Sequence, residues 1–196
     1  MRTEPRTGPR TGPGYRPQQR AVAVAVLTTL GWVEGTLAVP RRQSVVDFLD
    51  GSGAFIKLAR VRLPGRAEPA PFLALQRGAV SLIVPRDGAD GVETEGGRGT
   101  CAPLEVACLF PGGALEGRLG VLVNLRLSDY LRQPGEFLVL HEARWRPSQT
   151  PADVTDVTRT RQTLLQWPCA LVNTARLVAI EERGPHGDSG HAGQPV

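Results

Sequence analysis

Two stretches of this chain repeat each other without a gap at a spacing of 82 residues, and that duplication limits the fold more than any other feature. Glu34-Gly35-Thr-Leu37-Ala-Val39 is matched by Glu116-Gly117-Arg-Leu119-Gly-Val121. Further along, Asp47-Phe48-Leu49 is matched by Asp129-Tyr130-Leu131, and Gly53-Ala-Phe55-Ile56 by Gly135-Glu-Phe137-Leu138. Ten of the 30 positions in 34–63 are identical in 116–145. Downstream, Leu75–Ile83 lies over Val172–Ile180 at a spacing of 97, so the second copy carries about 15 extra residues in one loop. A chain that repeats in this way is two copies of one supersecondary plan.

The plan is all-β. Each copy starts with an alternating apolar strand, about 21–28 and about 105–110, followed by a glycine turn. In the second strand Val33, Leu37 and Val39, matched by Leu115, Leu119 and Val121, take one face. Gly35 and Gly117 share that face, where a missing side chain lets the strand bend or another backbone approach. Asp47 and Asp129 begin a single helical turn and are expected to cap it by accepting backbone N–H groups. A third strand starts at Phe55 and Phe137, and two short strands close each copy. Phe48, Phe55, Tyr130 and Phe137 recur and read as core. Trp32, Trp145 and Trp167 do not recur and read as surface contacts of one copy. Five short bent strands per copy predict two tandem five-stranded barrels packed as an internal pseudo-dimer. The expected organisation is a basic arm (1–20), a first barrel (21–85), a Gly-rich linker (86–104), a second barrel (105–183) and a tail (184–196), with arm and tail disordered and the linker mobile.

At Gly31–Val39, Phe55–Val61 and Leu75–Ile83 the copies resemble the Sm-like family of SH3-like small barrels, and the run Ala170–Ile180 is the closest piece. The resemblance implies a Gly-bearing second strand, a bent third strand and a short closing pair. The family's RNA signature of an acid followed by Met-Asn is replaced here by Asp47-Phe-Leu49 and Asp129-Tyr-Leu131. That turn is similar to one in uncharacterised bacterial domains. Arg16-Pro-Gln-Gln-Arg20 resembles the first element of PilZ-type domains, which would imply a cyclic dinucleotide as a small regulatory ligand. The second element is incomplete, because Asp50-Gly-Ser52-Gly-Ala-Phe55 ends in Phe.

The formal net charge is +4, and it sits in residues 1–20, where Arg2, Arg6, Arg10, Arg16 and Arg20 face one acid, Glu4. The rest of the chain nets to zero, so nucleic-acid binding, if it occurs, is expected through the arm. Cys101, Cys108 and Cys169 lack metal-ligand spacing and read as single buried thiols of a cytoplasmic protein. The run Ala21–Leu27 alternates as a strand does, which argues against an export signal, and no apolar run is long enough to span a bilayer. His186 and His191 lie in the tail, so His141 is the one body histidine, and it reads as structural. No nucleophile elbow, phosphate loop or zinc pattern is present. The sequence therefore predicts no enzyme, no cofactor and no metal. It predicts a protein-interaction or assembly module, with a protein partner or a second copy bound along an open strand edge.

Overall fold

The structure is a computed structural model that describes residues 18–88, 91–92, 101–132, 135–147 and 165–184. The first half runs β1 (Gln19–Thr28), β2 (Gly31–Pro40), α1 (Val45–Asp50), β3 (Phe55–Arg62), β4 (Ala70–Gln76), a 3-10 turn (Arg77–Ala79) and β5 (Val80–Pro85). The second runs β6 (Cys101–Phe110), β7 (Gly113–Leu122), α2 (Leu127–Tyr130), β8 (Phe137–Pro147), β9 (Leu165–Asn173), a 3-10 turn (Thr174–Arg176) and β10 (Ala179–Glu182). Element for element the halves follow one plan. The all-β reading holds.

All ten strands form one antiparallel sheet in the order β10-β6-β7-β8-β9-β5-β1-β2-β3-β4. Each half contributes five strands in the same internal order, and β9 of the second half pairs with β5 of the first. Among the described residues no pairing joins β4 to β5 or β9 to β10, so the sheet is open, with β4 and β10 as its edges. None of the helices is long and apolar enough to cross a membrane, among the described residues.

Two apolar cores form, and the strands at the joint serve both. Cys169 and Leu171 of β9 and Ile83 of β5 enter the first core, together with Phe137 and Val139 of β8. Their neighbours Ala170, Val172, Leu82 and Val84 enter the second, which also takes Ala25 of β1. Successive strand residues point to opposite faces, so β5 and β9 are buried on both sides. This explains why 82–85 and 169–172 read as continuous apolar runs rather than alternating ones.

Gly35 and Gly117 stand at matched places, paired with Val24 and Val106. Opposite each glycine the next strand bulges. The β2–β3 register slips between Glu34 and Thr36, the β7–β8 register between Glu116 and Arg118. The extra residues, Arg60 (φ 50°) and Glu142 (φ 51°), adopt left-handed backbone. The bulge brings the third strand against the glycine. A Cβ on Gly117 would lie 2.8 Å from the carbonyl oxygen of His141, and one on Gly35 would lie 3.2 Å from the Cβ of Leu58.

Several expectations need correction. Phe55 is 54% exposed while its counterpart Phe137 is 4% exposed. Trp145 is core, tilted against Phe110 with 5.8 Å between ring centroids. Trp32 and Trp167 pack on each other at 5.6 Å beside the second core. Cys101 is exposed, whereas Cys108 and Cys169 are buried, and burial pushes the Cys108 thiol up to about 12. Part of the expected linker is also structured. Gly91 and Val92 accept the backbone N–H groups of Val45 and Val46, Val92 is buried in the first core, and β6 already starts at Cys101.

The glycine geometry predicts an asymmetry. Gly117→Ala forces a Cβ onto a backbone oxygen and should cost about 1–3 kcal/mol, the range for overpacking. Gly35→Ala meets the Cβ of Leu58 at 3.2 Å and a methyl of Val61 at 3.3 Å, too close by only a few tenths of an ångström, and should cost less. Urea midpoints of the two variants check the order.

Candidate interaction surface

The joint between the halves is held by more than two paired strands. The 3-10 turn at Arg77 is fixed locally, since the Arg77 N–H donates to the carbonyl of Ala54. From there the Arg77 guanidinium donates to the carbonyl of Ser52 at 2.9 Å and to that of Leu49. Leu49 belongs to the last turn of α1 and Ser52 lies just past its end, a place where the helix favours a cation. The same guanidinium crosses to the second half. It pairs with Glu136 at 2.6 Å and lies over the Phe137 ring, 5.7 Å from its centroid.

Two further side chains bridge the halves. Asn173, 2% exposed, donates to the carbonyls of Arg77 at 3.2 Å and Val80 at 2.9 Å, while its own carbonyl accepts from the N–H of Ala175 at 3.0 Å. Asp50 meets the backbone N–H groups of Glu136 and Phe137. Burial nonetheless raises its carboxyl above the ordinary range, outweighing those bonds and the nearby Arg77 charge.

The open edge of the first half presents the equivalent strands uncovered. Phe55 of β3 and Phe72 of β4 are 54% and 57% exposed on its outer face. Their counterparts in the second half, Phe137 and Cys169, are 4% and 1% exposed because the first half covers them. In the second half, α2, the start of β8, the 3-10 turn at Thr174 and β10 surround a cavity of about 330 Å³ lined by Tyr130, Leu131, Leu177, Ala179 and Ile180, among others, with Asp50 of the first half also in its wall.

The residues singled out from sequence are placed as follows. Gly35 and Gly117 face the bulges. Asp47 is not the cap of α1. Ser44 holds that position, its hydroxyl accepting from the Asp47 N–H at 3.0 Å and donating to the Asp47 carboxylate at 2.6 Å. This is a reciprocal Ser-x-x-Asp arrangement in which the acid stands at the third helical position. Asp129 pairs with Arg132 at 3.5 Å, and the cap position of α2 is Arg126, with no side-chain cap bond. Arg20 belongs to β1 rather than to an arm, and its guanidinium donates to the carbonyl of Gly91 at 2.6 Å. Arg2, Arg6, Arg10 and Arg16 lie outside the described residues, as do His186 and His191. Ser52 donates to the carbonyl of Leu49 at 2.7 Å, and Asp50 is engaged at the joint, so both polar residues of the incomplete PilZ-like element have structural partners. Among the described residues, no group of three His, Cys, Asp or Glu side chains is placed to hold a metal ion.

Neither recurrence nor a motif marks Arg77 or Asn173 as a clasp in the sequence, and Asp50 stands out there only in the incomplete PilZ-like element. Their counterparts are Thr174, Gln76 and Arg132. A residue that clasps one copy to the other has no reason to be repeated, so divergence at matched positions was the available signal.

Comparison with known proteins finds no matching family model, no matching curated protein and no matching solved structure.

Arg77→Ala should destabilise the chain by about 2–3 kcal/mol. It strips a charged donor from two carbonyls and leaves Glu136 without its cation. Asn173→Ala should cost about 1–3 kcal/mol through the carbonyl of Val80 left buried. Chemical denaturation of the two variants reads both. Thr174→Ala, at the position matching Arg77 on the open side, should change the midpoint little.

Proposed function

We propose that the chain is a tandem pair of small barrels of the Sm-like, SH3-like kind, joined as an internal pseudo-dimer, and that it works as a non-catalytic interaction or assembly module. The support for the pair is the strand order repeated in the two halves and the two apolar cores, one beneath each half, that share the strands at the joint. One observation carries the functional reading: Phe55 and Phe72 stand exposed on the outer face of β3 and the unpaired edge β4, although the same positions in the second half are buried. Two exposed aromatics beside an unpaired strand offer both main-chain bonds and an apolar anchor. That is the chemistry by which an added strand binds a sheet edge.

The arginine content of residues 1–17 favours a second reading, nucleic-acid binding through the N-terminal segment. The two readings respond oppositely to salt. Binding through Arg2, Arg6, Arg10 and Arg16 is counterion release, with a log–log salt slope no steeper than about −4 on duplex DNA. It should vanish when residues 1–17 are deleted. Edge binding should survive both the deletion and moderate salt, and it should be lost in the Phe55→Asp/Phe72→Asp double variant. The experiment is twofold. RNA and duplex DNA are titrated against full-length and truncated protein at two salt concentrations. Co-purifying proteins are then compared between wild type and the double variant. Tight, salt-resistant nucleic-acid binding by the truncated chain would overturn the interaction reading.

A further inference from the structure

Resting on that interaction reading, we infer that the occupant of the open β4 edge is the β10 edge of a second copy of this chain, so that copies join head to tail. The joint inside the chain is the template. There, β5 of the first half pairs with β9 of the second through Leu82 opposite Val172 and Ile83 opposite Leu171. The element equivalent to β5 in the second half is β10, and the element equivalent to β9 in the first is β4. Among the described residues both are left unpaired on their outer sides, and they are the complementary sides of the same contact. Carrying the register across by the repeat spacing sets Ala179 opposite Leu75 and Ile180 opposite Ala74 of the neighbouring copy.

Knob and hole agree with that register. Inside the chain the knob is Phe137, covered by Arg77 and the end of α1. At the open end the knob is Phe55, 54% exposed. The hole lies in the second half, between the internal joint and β10. It is a cavity of about 330 Å³ that Asp50, Phe137 and Leu138 wall on the side of the internal joint; its remaining wall includes Tyr130, Leu131, Thr174, Leu177, Ala179 and Ile180. These residues are the counterparts of Phe48, Leu49, Arg77, Val80, Leu82 and Ile83 around the internal joint. Charge also fits. Exposed Glu181 and Glu182 lie along β10, while exposed Lys57, Arg60 and Arg62 lie along β3 beside the open edge.

The joint between copies lacks the clasps of the internal one. Thr174 stands where Arg77 would bind carbonyls, and Arg132 stands where Asp50 accepts two N–H groups. Association between copies is therefore weaker than the covalently linked joint, concentration-dependent and loosened by salt. Because the contact uses two different surfaces, it propagates. It gives a ring if the rotation closes and a filament if it does not.

The test uses the full chain and two surface variants, Phe55→Asp at one edge and Ala179→Asp at the other. Both sites are exposed, and circular dichroism with thermal melting confirms that both variants fold. Sedimentation velocity across a wide concentration range should show the wild type growing beyond a dimer. Each variant alone should associate about tenfold or more weakly, the loss expected when a central anchor is removed. Mixed in equal amounts, the two variants should form a heterodimer and nothing larger, because each retains one live edge. A wild type that stays monomeric throughout overturns the inference. So do variants that associate as the wild type does, or a mixture that gives no heterodimer. A monomeric wild type whose co-purifying proteins still depend on Phe55 and Phe72 would remove the head-to-tail joint and leave the interaction reading standing. Loss of both would remove the two together.

Discussion

The short pairing of β5 with β9 is the contact on which the rest depends. Few residues cross it, yet the side chains of Leu82–Val84 and of Cys169–Val172 are all buried, alternating between the two cores. Cutting a sheet there would expose two apolar faces at once rather than one. At about 25 cal/mol for each Å² of apolar surface, burying both faces makes a two-residue ladder far stronger than its hydrogen bonds alone. The polar residues around it supply direction. Arg77, Asn173 and Asp50 use their donors and acceptors on backbone groups of the opposite half or of the adjoining turn, so a slipped register would leave buried polar groups unmatched.

This arrangement explains an oddity in how the repeats diverged. Phe55 and Phe137 are the same residue in the same place, one exposed and one buried. Nothing local separates them. What differs is the neighbour, which for Phe137 is the first half and for Phe55 is solvent. The 3-10 turns diverged in the opposite way. Arg77 became a clasp with four partners, while the matching Thr174 hydroxyl lies at 3.1 Å from the carbonyl of Glu136, within its own half. Identity between the copies therefore marks what each unit needs for itself. Difference marks where a unit meets something else.

The fold class, the repeat boundaries of the strands and the special places of Gly35 and Gly117 were legible from periodicity and duplication, because those signals are local. The bulges were not. Their left-handed residues are Arg60 and Glu142, neither of them a residue type that announces positive φ. The glycine opposite each bulge was the visible half of the device. The helix cap was misplaced by three residues, since a Ser-x-x-Asp pair can be read from either end and only geometry shows that Ser44 accepts the bond. Phe55 was misread for the reason just given, as burial at a sheet edge depends on what pairs with it. The continuous sheet was invisible because the β5–β9 pairing joins residues that share no motif and stand far apart in the chain.

That separation has a consequence for how the protein is made. Val172 follows Leu82 by 90 residues, so the first core is synthesised well before the strand that completes it. At ordinary translation rates the gap is on the order of ten seconds. During that time Ile83 and its neighbours form a bare apolar rim on a nascent domain. The second half emerges tethered beside it, which keeps the missing strand at high local concentration and gives stray chains little time to take its place.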